Sequence, residues 1–128
     1  QMLEIKASYA PSEGYVDNGR GHFKVGGGEG ELYPYDMLLG GLSACYHATL
    51  KSVLDKMKVP VPQVDYVITG EKRSETPTTL TWVNMDITIT GDVDQKQMQR
   101  ALDMAAKYCS IHHTIAQVAE MRHAVHFK

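Results

Sequence analysis

The chain has 128 residues, the length of one domain, and leaves too little for a second independent core. Hydrophobic residues make up 43% and charged residues 22%, the balance of an ordinary globular protein. A formal net charge of −2 and the lack of a basic, aromatic-interleaved stretch argue against nucleic acid or an anionic membrane as partner, and no run of about 18 apolar residues is present to form a spanning helix.

Met2 directly after Gln1 suggests that Gln1 precedes the natural start. The segment Gln1 to Lys6 alternates apolar and polar residues instead of forming the continuous apolar stretch of a secretion signal, so a cytoplasmic location is expected. Alternation through Leu3, Ile5, Ala7 and Tyr9 predicts a first strand. Short strands follow around Tyr15-Val16 and from His22 to Val25. Gly26 to Gly30 then reads as a flexible loop. From Asp36 to Met57, Leu39, Leu42, Tyr46, Leu50, Val53 and Met57 recur at helical steps. Leu38, Ala44, Cys45, Ala48 and Leu54 widen this stripe nearly all round, which predicts a helix buried on several sides or lying across a subunit contact. Gly40-Gly41 either weakens its first turns or admits another backbone.

Pro60 and Pro62 bracket a turn, Val64 to Ile68 predicts a strand, and Pro77 lies in a second turn. The clearest alternation is Val83, Met85, Ile87 and Ile89 against Asn84, Asp86, Thr88 and Thr90. Asp94 with Gln97 resembles a capping box opening a helix whose buried face is Met98, Ala101, Leu102 and Ala105. That helix ends near Tyr108-Cys109. Ser110 can cap another carrying Ile111, Ile115, Val118 and Ala119, and Ala124 to Phe127 predicts a last strand. Strands, helix, strands, helix pair and strand in that order define an α+β chain.

In a reducing compartment the two cysteines are not expected to form a structural disulfide; they are inert core thiols, a redox pair or metal ligands. Cys45 in the middle of an apolar helix reads most simply as a small hydrophobe. Cys109 lies at a helix junction, where free N–H groups stabilise a thiolate, with His112 and His113 within a turn. By position alone Cys109 is the better candidate for reactivity, and spacing alone leaves the inert reading slightly ahead.

The run Pro34-Tyr35-Asp36-Met37-Leu38-Leu39-Gly40-Gly41-Leu42-Ser43-Ala44-Cys45 resembles the central-helix motif of the OsmC/Ohr family, the osmotically induced and organic-hydroperoxide-resistance proteins. Ala106-Lys107-Tyr108-Cys109-Ser110-Ile111-His112 resembles that family's second motif. The likeness extends over nearly the whole chain and implies a single OsmC-like domain over residues 1–128. It also implies an intertwined homodimer with shared active sites, built of antiparallel sheets around a long central helix plus a C-terminal helix pair. The implied activity is thiol-dependent peroxidase chemistry without a bound cofactor. Cys45 would be oxidised by a hydroperoxide to a sulfenic acid, Cys109 would form a disulfide with it, and an external dithiol or lipoyl-type reductant would reduce that bond. A Glu–Arg pair serves the reactive thiol in the hydroperoxide-resistance branch. Its counterparts here would be Asp36 and Arg20.

The chain departs from the pattern in three places. Tyr35, not an acid, follows Pro34. Asp36 lies nine residues before Cys45, opposite it and about 13 Å away along a continuous helix, so its alternative role is a first-turn acid suited to the helix dipole. Arg20 reads equally as a solvated turn residue, and Ser110 replaces the usual Pro after the second Cys. These changes point to a divergent OsmC-like branch. Two rivals stand beside the peroxidase. Zinc could use Cys109, His112 and His113, but Cys45 and His47 lie about 200° apart around a helix and cannot share one ion. A non-enzymatic dimeric protein binding small ligands could line an apolar pocket with Tyr33, Tyr35, Met37 and Tyr46.

Overall fold

The structure, a computed structural model, describes residues 2–128. Gln1, read above as preceding the natural start, lies outside the described residues. The backbone divides into two compact units, one ending at Gly40 and the other spanning Gly41–Lys128.

The N-terminal unit holds β1 (Lys6–Ala10), β2 (Glu13–Asp17), β3 (His22–Val25) and β4 (Glu31–Leu32) in that order across one sheet. Local turn chemistry fixes the β2–β3 hairpin. Asn18 Oδ1 accepts from the backbone N–H of Arg20 at 2.9 Å and of Gly21 at 3.0 Å, while Gly19 takes a φ of 89° that favours glycine. The glycine loop after β3 folds back on itself: Gly26 donates to Leu32 O, and Gly28 donates to Glu31 Oε1 at 3.1 Å. That return lays β4 parallel to β3, a strand absent from the sequence reading because its two residues are too few to show a period. The long helix α1 (Pro34–Met57) follows. Pro34 occupies its first position, where a missing N–H costs nothing, and Asp36 Oδ2 accepts from Tyr33 N at 2.8 Å.

The C-terminal unit contains β5 (Gln63–Lys72), β6 (Leu80–Thr90), α2 (Gln95–Tyr108), α3 (Ser110–Ala116) and β7 (Glu120–Phe127). Its sheet has the order β5-β6-β7, with β5 antiparallel and β7 parallel to β6. The expectation of antiparallel sheets is therefore corrected, since each sheet is mixed with one parallel pair. The α2–α3 pair supplies the crossover that a parallel β6–β7 pairing requires. On β6 the predicted alternation holds: Val83, Met85, Ile87 and Ile89 are all fully buried. Leu42, Leu50 and Leu54 of α1 and Met98, Ala101 and Ala105 of α2 complete this core.

Tyr46 ties the elements together. Its hydroxyl donates to Leu102 O on α2 at 2.9 Å, and its ring meets Tyr66 of β5 and His123 of β7. It is a core residue and not the pocket wall considered above. Helix α1 buries one stripe and not its full circumference, for Leu38, Ala44 and Ala48 remain exposed. The glycine pair admits no close backbone among the described residues: a Cβ on Gly41 would meet only Ile111 Cδ1 at 3.9 Å. Helix α2 starts as predicted, with Asp94 Oδ1 accepting from Gln97 N at 3.0 Å.

Candidate thiol site

Helix α1 presents Cys45 from its middle, half-buried, while Cys109 occupies the single residue between α2 and α3. Cys109 takes an extended backbone (φ −68°, ψ 116°) that ends one helix and starts the next. Its N–H bonds back to Ala105 O, and its sulfur accepts from His112 N at 3.4 Å. The cap of α3 is thus Cys109, which corrects the assignment to Ser110. Sulfur is a weaker acceptor than a hydroxyl oxygen, yet here it fills the N-cap position. Ser110 becomes the first helical residue, and its hydroxyl lies 3.8 Å from Cys45 Sγ.

The two sulfurs lie 3.2 Å apart, with the Cys109 thiol donating to Cys45. Their acidities are pushed in opposite directions. Partial burial raises the Cys45 thiol, but hydrogen bonds from the Ile111 backbone, the Cys109 thiol and the hydroxyl and backbone of Ser110 bring it below its ordinary value. Complete burial pushes Cys109 up to about 11, with the neighbouring Cys45 adding to the rise and the His112 and Ile111 N–H groups offsetting only part of it. The amides of α3 reach both sulfurs, but only at Cys45, joined by the Cys109 thiol and Ser110 hydroxyl, do the hydrogen bonds outweigh desolvation. Sequence position pointed to Cys109 because it could not show which sulfur is desolvated.

A histidine–tyrosine cluster flanks the pair. His112 is 8% exposed, and its Nε2 lies 3.0 Å from Nε2 of His123. His47 Nδ1 lies 2.8 Å from the Tyr66 hydroxyl, and burial pushes the pKa of that phenol above its ordinary value. His113 is exposed and meets Gln117. Tyr66 escaped the sequence reading as a site residue because strand alternation places a side chain on a face without naming what it meets, and His123 lay just ahead of the predicted last strand. Among the described residues no group of three His, Cys, Asp or Glu side chains is placed to hold a metal ion.

Arg20 and Asp36 both belong to the N-terminal unit. Arg20 is exposed in the β2–β3 turn, and Asp36 caps the start of α1. Tyr33 is likewise exposed.

Among the described residues, a mixed α+β fold with two sheets and three helices, carrying two free thiols in contact across a helix and a helix junction, defines a class of dithiol proteins. The family model described as OsmC-like protein matches residues 26–123, and the chain belongs to that family. Protein YhfA of Escherichia coli is 29% identical over 93 residues, which cover 71% of this chain and 69% of that protein. The low identity supports a divergent branch. An OsmC-like protein from Mycoplasma pneumoniae has the same fold at a TM-score of 0.89 and 18% identity, covering 99% of this chain and 97% of that one. The organic hydroperoxide resistance protein OhrB of Bacillus subtilis matches at a TM-score of 0.71 and 14% identity, over 98% of each chain. Among the described residues no helix is long and apolar enough to cross a membrane.

Proposed function

We propose that this protein is a thiol-dependent peroxidase that reduces organic hydroperoxides, and possesses some capacity for hydrogen peroxide, in the cytoplasm. The observation that carries the reading is the 3.2 Å sulfur pair, with one thiol made more acidic and the other held protonated. The Cys45 thiolate attacks the terminal peroxide oxygen, the O–O bond breaks, and the alcohol leaves with a proton from solvent. Cys45 is left as a sulfenic acid. Sulfur of Cys109 then attacks Cys45 Sγ, the S–O bond breaks, and hydroxide departs as water with the Cys109 proton. An external dithiol, lipoyl-type in this reading, returns two electrons and two protons to restore both thiols. Family membership and the fold shared with hydroperoxide resistance proteins support this chemistry.

The reading includes a homodimer with shared active sites. The exposed side of α1 and the solvent-facing apolar residues of the N-terminal sheet suit burial against a second copy. Arg20 and Asp36 would then act at a thiol site as the cation that steadies thiolate and leaving oxygen and the acid that orients it.

Consumption of cumene hydroperoxide with dihydrolipoamide as reductant tests the proposal. Cys45→Ser is expected to lose at least about 100-fold in rate, and Cys109→Ser to turn over briefly and then inactivate by overoxidation of Cys45. Native protein that is inert toward peroxide and forms no Cys45–Cys109 disulfide would sink the peroxidase assignment.

A further inference from the structure

We propose that His123 is a positioning residue for the thiol pair: its Nε2···Nε2 hydrogen bond with His112 pins α3 to β7, holds the α3 amides against the two sulfurs, and is released when both imidazoles are protonated. The proposal rests on the reading of Cys45 as the reactive thiol, whatever the oxidant.

The backbone N–H of His112 donates to Cys109 Sγ, so the residue that caps Cys109 through its main chain is also the residue that reaches β7 through its side chain. The next amides back, Ile111 and Ser110, are among the donors that lower the pKa of Cys45. Helix α3 has seven residues, too few to persist alone in water, so its placement depends on tethers. Its first turn carries the Cys109 cap and the His112–His123 bond, and its second turn buries Ile115. Without the imidazole bond, the first turn keeps only a sulfur cap, a weak acceptor, and the 3.8 Å contact of the Ser110 hydroxyl with Cys45.

The two rings are within 18° of coplanar, with centroids 5.1 Å apart and the Nε2 atoms 3.0 Å apart. That is an end-on N–H···N contact, in which one Nε2 carries the hydrogen and the other offers its lone pair. A first added proton can settle on the free Nδ1 of the donating ring and leaves the bond charge-assisted. A second would put hydrogen on both Nε2 atoms and set two cations end to end, which breaks it.

The surroundings favour the intact state. Tyr46 of α1 lies beside both rings, at 6.4 Å from His112 and 6.3 Å from His123, with Tyr66 of β5 behind it. Asp103 of α2 favours a charge on His123, His113 of α3 opposes one on His112, and from β6 the register neighbour of His123 is the apolar Met85. Cys109 sits at the junction ahead of the pair. Burial holds both imidazoles below their ordinary value, so the bond is intact at neutral pH.

The test is the pH dependence of iodoacetamide alkylation at Cys45 in the full chain, located by mass spectrometry, for native protein, His123→Ala and His123→Gln. The His123→Ala profile is expected to move up by about one pH unit, which slows alkylation at neutral pH roughly tenfold. His123→Gln is expected to stay near native, because its amide can still bond His112 Nε2. A folded His123→Ala protein with the native profile would overturn the proposal. If His123→Ala does not fold, NMR of the native protein decides: His112 and His123 should titrate in two separated steps, with the Ser110 and Ile111 amide signals moving in the second. Independent titration with still amides would overturn it. Alkylation reads the thiol without any peroxide, so failure of peroxidase turnover would leave this result standing, and the reverse.

Discussion

The two units of the chain treat their apolar residues in opposite ways. In the C-terminal unit, Leu42, Leu50, Leu54, Val83, Met85, Ile87 and Ile89 are wholly buried, and the thiol pair grows directly out of that core. In the N-terminal unit, Leu3, Ile5, Tyr9 and Phe23 stay in solvent, Phe23 at 58% exposure. Both sheets have well-formed strand pairing, broken only by one register shift at Glu71/Lys72 in the C-terminal sheet, so the difference is not one of local structure. It lies in what each sheet can cover: the C-terminal sheet has helices from its own chain, and the N-terminal sheet has a surface of apolar side chains left over. The thiol pair needs only the first kind of unit for its geometry. The proposed Arg20 and Asp36 contribution belongs to the second.

Several substitutions would sharpen or break this contrast. The largest effect on stability is expected from Leu50→Ala, at about 2–5 kcal/mol, because deleting a fully buried side chain leaves a cavity in a packed core. Urea unfolding measures it. Phe23→Ala in the N-terminal sheet should cost under about 1 kcal/mol in dilute protein, since little apolar area leaves water there in the single chain. A loss from Phe23→Ala that vanishes on dilution, together with a dimer mass in sedimentation, would mean that a second copy covers this sheet. Asp94→Ala removes the acceptor for Gln97 N and should lower stability by about 1 kcal/mol, read as a lower melting temperature.

The smallest effect is a pH dependence. His112 and His123 both bind protons less readily in the folded chain than the ordinary 6.5, chiefly because of burial. As pH falls below about 6.5 the unfolded chain takes up more protons than the folded one, so stability declines until the folded values are passed and then levels. Melting temperatures between pH 7.5 and about 5 should show this slope, and His123→Gln should flatten it. An unchanged slope would detach the imidazole pair from the stability of the C-terminal unit.

How much of this was legible beforehand depends on the range of the interactions involved. The β6 alternation, the helical stripe from Asp36 to Met57 and the Asp94 cap were readable because each is written within a few residues. The cap of α3 was misplaced by one residue, because Ser110 is the better local acceptor while the cap that forms uses Cys109, whose sulfur is also held against Cys45. β4 and the parallel β6–β7 pairing left no periodic signal, since direction of pairing depends on the connection between strands and not on their alternation. Likewise the start of β7 at Glu120, which brings His123 opposite His112, lay ahead of the apolar run that marked its end.

The amino-acid sequence by itself determined the α+β order of elements, the two cysteines and their family motifs, because hydrophobic period, capping residues and motif spacing are properties of neighbouring positions. Only the tertiary structure decided which thiol is made more acidic and which less. That choice follows from desolvation and from hydrogen bonds reaching between α1 and the α2–α3 junction, groups 64 residues apart in the chain that meet only when the core closes.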